Sequence, residues 1–104
     1  MLIVNTETIV GKEIVEVLGM AQRSTIRAKH MGKDIMSGFR QLVGGEMTEY
    51  REMLEEARQI ALDRMIAQAK DMNADAVVNV RFSTSAIMQG AAEILAYGTA
   101  VKLR

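Results

Sequence analysis

Few side chains in this 104-residue sequence could carry chemistry, and the missing types constrain it as much as those present. His30 is the only histidine and there is no cysteine. Zinc and softer metals are held by thiolates or by two or three imidazoles, so one chain cannot build such a site. Only a symmetric oligomer would bring several copies of His30 together. Arg27, Lys29 and Lys33 beside it would oppose a bound cation. Without cysteine there is also no disulfide framework and no thiol nucleophile.

Ser24, Thr25, Ser83, Thr84 and Ser85 supply hydroxyls, but no Gly-x-Ser-x-Gly elbow or spaced base accompanies them, and such residues at strand ends form turns. Glu49, Glu52, Glu55, Glu56 and Asp63 crowd one stretch, with Arg51 and Arg58 in helical reach; that is a solvated face with weak ion pairs. Glu93 differs: it is the only charged residue between Phe82 and Val101, where an ionised carboxylate needs a partner. Arg58 projects about 50° from the centre of an apolar helical stripe, so it snorkels or pairs with a carboxylate such as Glu93, within or between subunits. Glu93, Arg58 and Tyr97 are the candidate ligand-binding residues.

Gly44-Gly45 before a helix could present backbone amides to an anion, but no phosphate-loop pattern follows; a hinge between helices accounts for the pair better. Basic residues gather from Arg23 to Arg40, yet no aromatic precedes Phe39 there, as a stacking platform for single strands would require. With 13 basic and 13 acidic residues, the chain lacks the basic excess of a nucleic-acid binder. Its apolar fraction of 49% and charged fraction of 25% are those of a globular protein, and no apolar run reaches membrane-spanning length. The expectation is a cytoplasmic single domain, 1–104, with no cofactor evident from the residues and a metal ion only as an oligomer-borne possibility.

The elements that must position these residues follow from periodicity. Leu2 to Val4 reads as a short strand, and Glu13 to Ala28 as one long strand or two with a bend near Gly19. Ile35, Met36, Phe39, Leu42 and Val43 recur at helical spacing between Gly32 and Gly44. From Met47 to Met72 runs a long helix whose stripe is Met47, Tyr50, Leu54, Ala57, Ala61, Met65, Ala69 and Met72, with Asn73 as its left-handed terminator. Ala76 to Phe82 alternates Val78, Val80 and Phe82 against Val77, Asn79 and Arg81. Glu93 to Leu103 sets Leu95, Tyr97, Thr99 and Val101 against the flat face of Ala96, Gly98 and Ala100. A flat face lets a helix or another chain approach closely. Strands, helix, helix, strands make an α+β domain, a mainly antiparallel sheet with two helices on one face.

Met53, Ile60 and Ile66 fall outside the main stripe of the long helix, and the Phe82 to Val101 stretch is almost free of charge. Methionine-rich, charge-poor surface is what the centre of a subunit interface presents, so the chain is expected to self-associate.

Gly11-Lys12-Glu13-Ile14, Ala28-Lys29-His30 through Asp34-Ile35, Val43-Gly44-Gly45-Glu46, Tyr50 with Ala57-Arg58, Ala74-Asp75-Ala76-Val77-Val78 and Gly98-Thr99-Ala100-Val101 stand in that order. Together they resemble the YbjQ-like family of small, uncharacterised bacterial and archaeal proteins, over nearly the whole chain. The resemblance implies an α+β subunit in a homopentameric ring. It also implies the family's heavy-metal-binding label, and it carries no catalytic residues. Methionine thioethers and carboxylates are the donors left to such a metal, and a ring would collect five copies of one ligand on its axis. The leading reading is a non-enzymatic ring that binds a small ligand or ion; the alternative is an enzyme of unknown reaction whose site, at the subunit interface, uses Glu93, Arg58 and Tyr97.

Overall fold

The computed structural model describes residues 1–28 and 48–104. Its elements are β1 (Leu2–Ile3), β2 (Ile14–Ala28), α1 (Thr48–Asp71), β3 (Ala76–Met88) and β4 (Ala91–Leu103). The strands form one sheet in the order β1-β3-β4-β2. β1 runs parallel to β3; β4 is antiparallel to both β3 and β2. The fold is α+β with a mixed, mainly antiparallel sheet. Among the described residues it carries one helix where two were expected; the segment from Gly32 to Gly44, with His30 and the Gly44-Gly45 pair, lies outside them.

Small residues decide how α1 lies. Ala57, Ala61, Met65 and Ala69 are fully buried against Ala21, Ile94, Ala96 and Ala100 of β2 and β4. Alanine on both sides brings the helix close to the sheet, and the flat face of β4 is the one it covers. Leu54, Ile66 and Met72 border this core. Ile66 therefore belongs to the packed side, contrary to its wheel position, because the large residues flank a seam of small ones. Asn73 ends the helix at φ 64°. Its amide donates to the Lys70 carbonyl (3.0 Å) and the Ala74 amide to the Ala69 carbonyl (3.1 Å), the paired bonds of a Schellman terminus.

β3 departs from the alternation read in the sequence. Asn79 takes φ 56°, and the register with β4 slips between Val78 and Arg81. The extra residue turns both Val77 and Val80 toward the helix, while Val78 joins Ala76 and Val101 in a second cluster with Val4, Ile9, Ile14 and Leu103. The bulge is fastened by the amino-terminal segment: the Asn79 amide donates to the Thr6 carbonyl and the Val80 amide to the Val4 carbonyl, both at 3.0 Å. Gly98 lies opposite. A β-carbon there would stand 2.6 Å from Val77 Cγ1 and 2.9 Å from the Val78 carbonyl oxygen.

β2, β3 and β4 are 13 to 15 residues long, more than twice the usual strand. The radius of gyration is 17.1 Å, where a compact domain of this length has about 13 Å. Substituting Gly98→Ala should lower stability by about 1–3 kcal/mol, the usual cost of overpacking, since the nearest obstacle is backbone-anchored valine. Urea denaturation followed by circular dichroism measures it; an unchanged midpoint would show that this contact is not tight.

Candidate functional site

The register sorts the candidate residues. Glu93 stands opposite Ile26 and Ser85, and Tyr97 opposite Gln22 and Arg81, on the face of β4 away from α1. Both are half-buried. Four residues apart, they are separated by about 13 Å along the strand. Arg58 is exposed on α1, on the other side of the sheet. Glu93 and Arg58 are therefore not paired within a subunit, and the three residues form no single constellation there. Spacing in sequence could not show this, because it hides which face of the sheet the helix chooses.

Arg58 instead sits between two clefts along α1. One, of about 280 Å³, is lined by Glu55, Arg58, Gln59, Leu62 and Phe82; the other, of about 240 Å³, by Tyr50, Arg51, Leu54 and Arg58. A guanidinium between two partly apolar clefts is suited to holding a carboxylate or phosphate beside a flat apolar group. Phe82 and Leu62 went unnoticed as site residues; the bulge that sets the face of Phe82 hid that residue, and helix periodicity alone does not show that Leu62 meets it. The carboxylates expected on a solvated face are there: Glu56 accepts from Arg27 Nη2, and Gln59 Nε2 donates to Asp63 Oδ1 at 2.9 Å.

A larger cleft of about 460 Å³ lies at the end of the sheet between Met1, Leu2, Lys12, Asp75, Leu103 and Arg104. Its carboxylate is already engaged. Asp75 Oδ2 accepts from the Leu103 amide at 2.8 Å, Lys102 Nζ stands 3.6 Å from Oδ1, and the Asp75 amide donates to the Val101 carbonyl. The Leu103 hydrogen bond holds the Asp75 pKa below its usual 3.8, helped by the Lys102 charge and opposed by partial desolvation. This is a clamp between the start of β3 and the end of β4.

Fold and site together define a small α+β protein of long strands, with no catalytic constellation among the described residues. The chain belongs to the YbjQ family described as "Putative heavy-metal-binding", which it matches over residues 1–104. It is 68% identical over 103 residues to a UPF0145 protein of Methanosarcina acetivorans, covering 99% of this chain and 97% of that one. A UPF0145 protein of Archaeoglobus fulgidus is 59% identical, with coverage of 99% and 95%. A crystal structure of a protein with unknown function from Pediococcus pentosaceus, of the DUF74 family, superimposes with a TM-score of 0.63 at 13% identity, covering 100% of this chain and 98% of that one. That likeness concerns the fold alone.

The donor set does not fit a soft heavy metal. The sequence has no cysteine and one histidine, and among the described residues no three His, Cys, Asp or Glu side chains gather closely enough to hold an ion. No helix of the described residues is long and apolar enough to cross a membrane.

Asp75 makes the clamp testable. Its folded pKa lies below the unfolded value, so its contribution is present above about pH 4 and is lost as pH falls through the folded value. Asp75→Asn should melt below the parent protein at pH 7, and the gap should close in acid. Thermal melting across pH 2 to 7 checks this; a gap that stays constant would show that the Asp75 charge does not matter.

Proposed function

We propose that this chain is a non-enzymatic, ring-forming homo-oligomer of the cytoplasm that holds a small ligand or ion in its central opening or subunit grooves. The observation that carries the assembly is the uncovered apolar surface of the long strands. Val15, Val17, Met20 and Ile26 of β2 and Phe82, Ile87 and Met88 of β3 are exposed, Val17 by 65% and Ile26 by 60%. Val17, Met20 and Ile26 stand opposite Val101, Thr99 and Glu93 on the face away from α1, and exposed apolar side chains gathered on one sheet face mark an interaction site. The elongated shape supports the same reading: β3 is buried from Ala76 to Val78 and exposed from Arg81 to Met88. Five subunits is the number implied by the YbjQ-like resemblance.

The groove at Arg58 is the ligand site this reading favours, since it joins a cation to apolar walls of Phe82, Leu62 and Leu54. Within one chain the described donors do not fit a soft heavy metal, so an ion held by this assembly would take its ligands from several subunits. Light scattering at micromolar concentration should report about five times the 11.5 kDa chain mass. A stable species of 11.5 kDa would overturn the assembly. Native mass spectrometry of untagged protein should show a retained small molecule or ion, and Arg58→Gln should weaken its retention by at least about tenfold, the value of one charge-assisted hydrogen bond, without changing subunit number. Unchanged retention would remove Arg58 from the site.

A further inference from the structure

The cleft at the end of the sheet is separate from the Arg58 groove and is built by one chain. Four stretches of backbone meet around its 460 Å³, a volume within the range of small-molecule sites. Each is pinned by hydrogen bonds. The Leu2 amide donates to the Asp75 carbonyl at 3.5 Å, and the Lys12 amide to the Ile9 carbonyl at 3.1 Å, across the turn that Gly11 makes at φ 81°. Glu13 and Arg104 exchange amide-to-carbonyl bonds of 3.2 and 2.8 Å. The lining side chains therefore start from a fixed frame, which leaves little ordering for a ligand to impose.

The charges around this cleft do not cancel. Asp75 is the carboxylate in its lining, and it is spent. The Leu103 amide donates to Asp75 Oδ2 at 2.8 Å, and Lys102 Nζ stands 3.6 Å from Oδ1 while donating to the Asn73 carbonyl. Lys102 thus balances Asp75 from outside the lining, and the two cations within it, Lys12 and Arg104, are surplus. Arg104 Nη1 reaches Glu13 Oε2 only at 3.8 Å, and with side chains 73% and 67% exposed that pair has little strength. Among the described residues no carboxylate pairs with Lys12. The remaining walls are the apolar side chains of Met1, Leu2 and Leu103, the first two 45% and 43% exposed.

We infer that this cleft binds a small organic anion, a phosphate or carboxylate carried on a short aliphatic chain. Lys12 and Arg104 take the head group, and Met1, Leu2 and Leu103 take the chain. Glu13 is the internal competitor: Arg104 gives up a long, solvated ion pair for a charge-assisted bond to the ligand. A cationic ligand is repelled here, and a neutral aliphatic one leaves both cations without a partner. The site lies within one subunit, so it stands independently of the assembly proposed above.

NMR titration of the untagged protein with butyl phosphate, butanoate, inorganic phosphate and butanol tests this. Shifts should cluster at Leu2, Lys12, Leu103 and Arg104. At least one of the two acids should bind about tenfold or more tighter than inorganic phosphate or butanol, since each of those offers only the head or only the chain. The tighter acid names the head group. Lys12→Ala and Arg104→Ala should each weaken it by about tenfold, the value of one charge-assisted hydrogen bond. Arg23→Ala removes the same charge about 30 Å away along β2 and should change nothing. Glu13→Gln should tighten binding severalfold, a gain that a damaged fold does not produce. Shifts scattered over the surface, or equal weakening by Arg23→Ala, would reduce the effect to overall charge and overturn the site. Butanol binding as tightly as the acids, or no shift at millimolar acid, overturns it as well.

Discussion

Everything in this subunit depends on how closely α1 and β3 approach the flat face of β4. Gly98 has no side chain because Val77, Val80 and the Val78 carbonyl occupy the space where one would stand. Ala96 and Ala100 extend the same surface, and Ala57, Ala61 and Ala69 meet it from the helix. Small residues on both sides place more atoms in contact than large ones separated by voids, so the seam recovers in dispersion what it lacks in side-chain area. The core is therefore thin. Among the described residues, Met65 and Ile94 are the largest fully buried side chains near its centre.

A thin, laterally placed core has a consequence for the edges. Since α1 settles over β2 and β4 and only grazes β3, its polar side chains can reach β2's backbone and not that of β3. Gln68 and Arg64 satisfy Gln22 and Ser24. Among the described residues, α1 approaches the far half of β3 at Phe82, and the hydrogen bonds of the amino-terminal segment end at Arg81. The same alanines that draw the helix close thus bring its polar side chains onto the edge of β2.

Much of this was legible in the sequence, for identifiable reasons. The stripe from Leu54 to Met72 predicts the packed face of α1, Asn73 its end, and the Ala96-Gly98-Ala100 alternation the surface the helix covers. These are local periodicities, and local periodicity survives folding. The face of Phe82 was not legible, because it depends on one residue: Asn79 takes a left-handed conformation and shifts every side chain after it. The length of β3 was missed as well. Ser83-Thr84-Ser85 has the composition of a loop, and only pairing with β4 makes it a strand. The separation of Glu93 from Arg58 has the same origin, since helix projection and strand alternation each give a face but not which faces meet.

That separation limits what one subunit can do. Glu93 lies on a sheet face bordered by Ile26 and Leu95, and directly across the two neighbouring strands from it stand Ile26 and Ser85. Glu93 is half-exposed. Were that face covered by another chain, the water would go and the charge would need a cation from the covering surface. Arg58, on the exposed side of α1 and across the sheet, could meet a Glu93 only on a different copy. The polar residues that looked like one site in the sequence are thus distributed over opposite faces, and only contact between copies could bring them together.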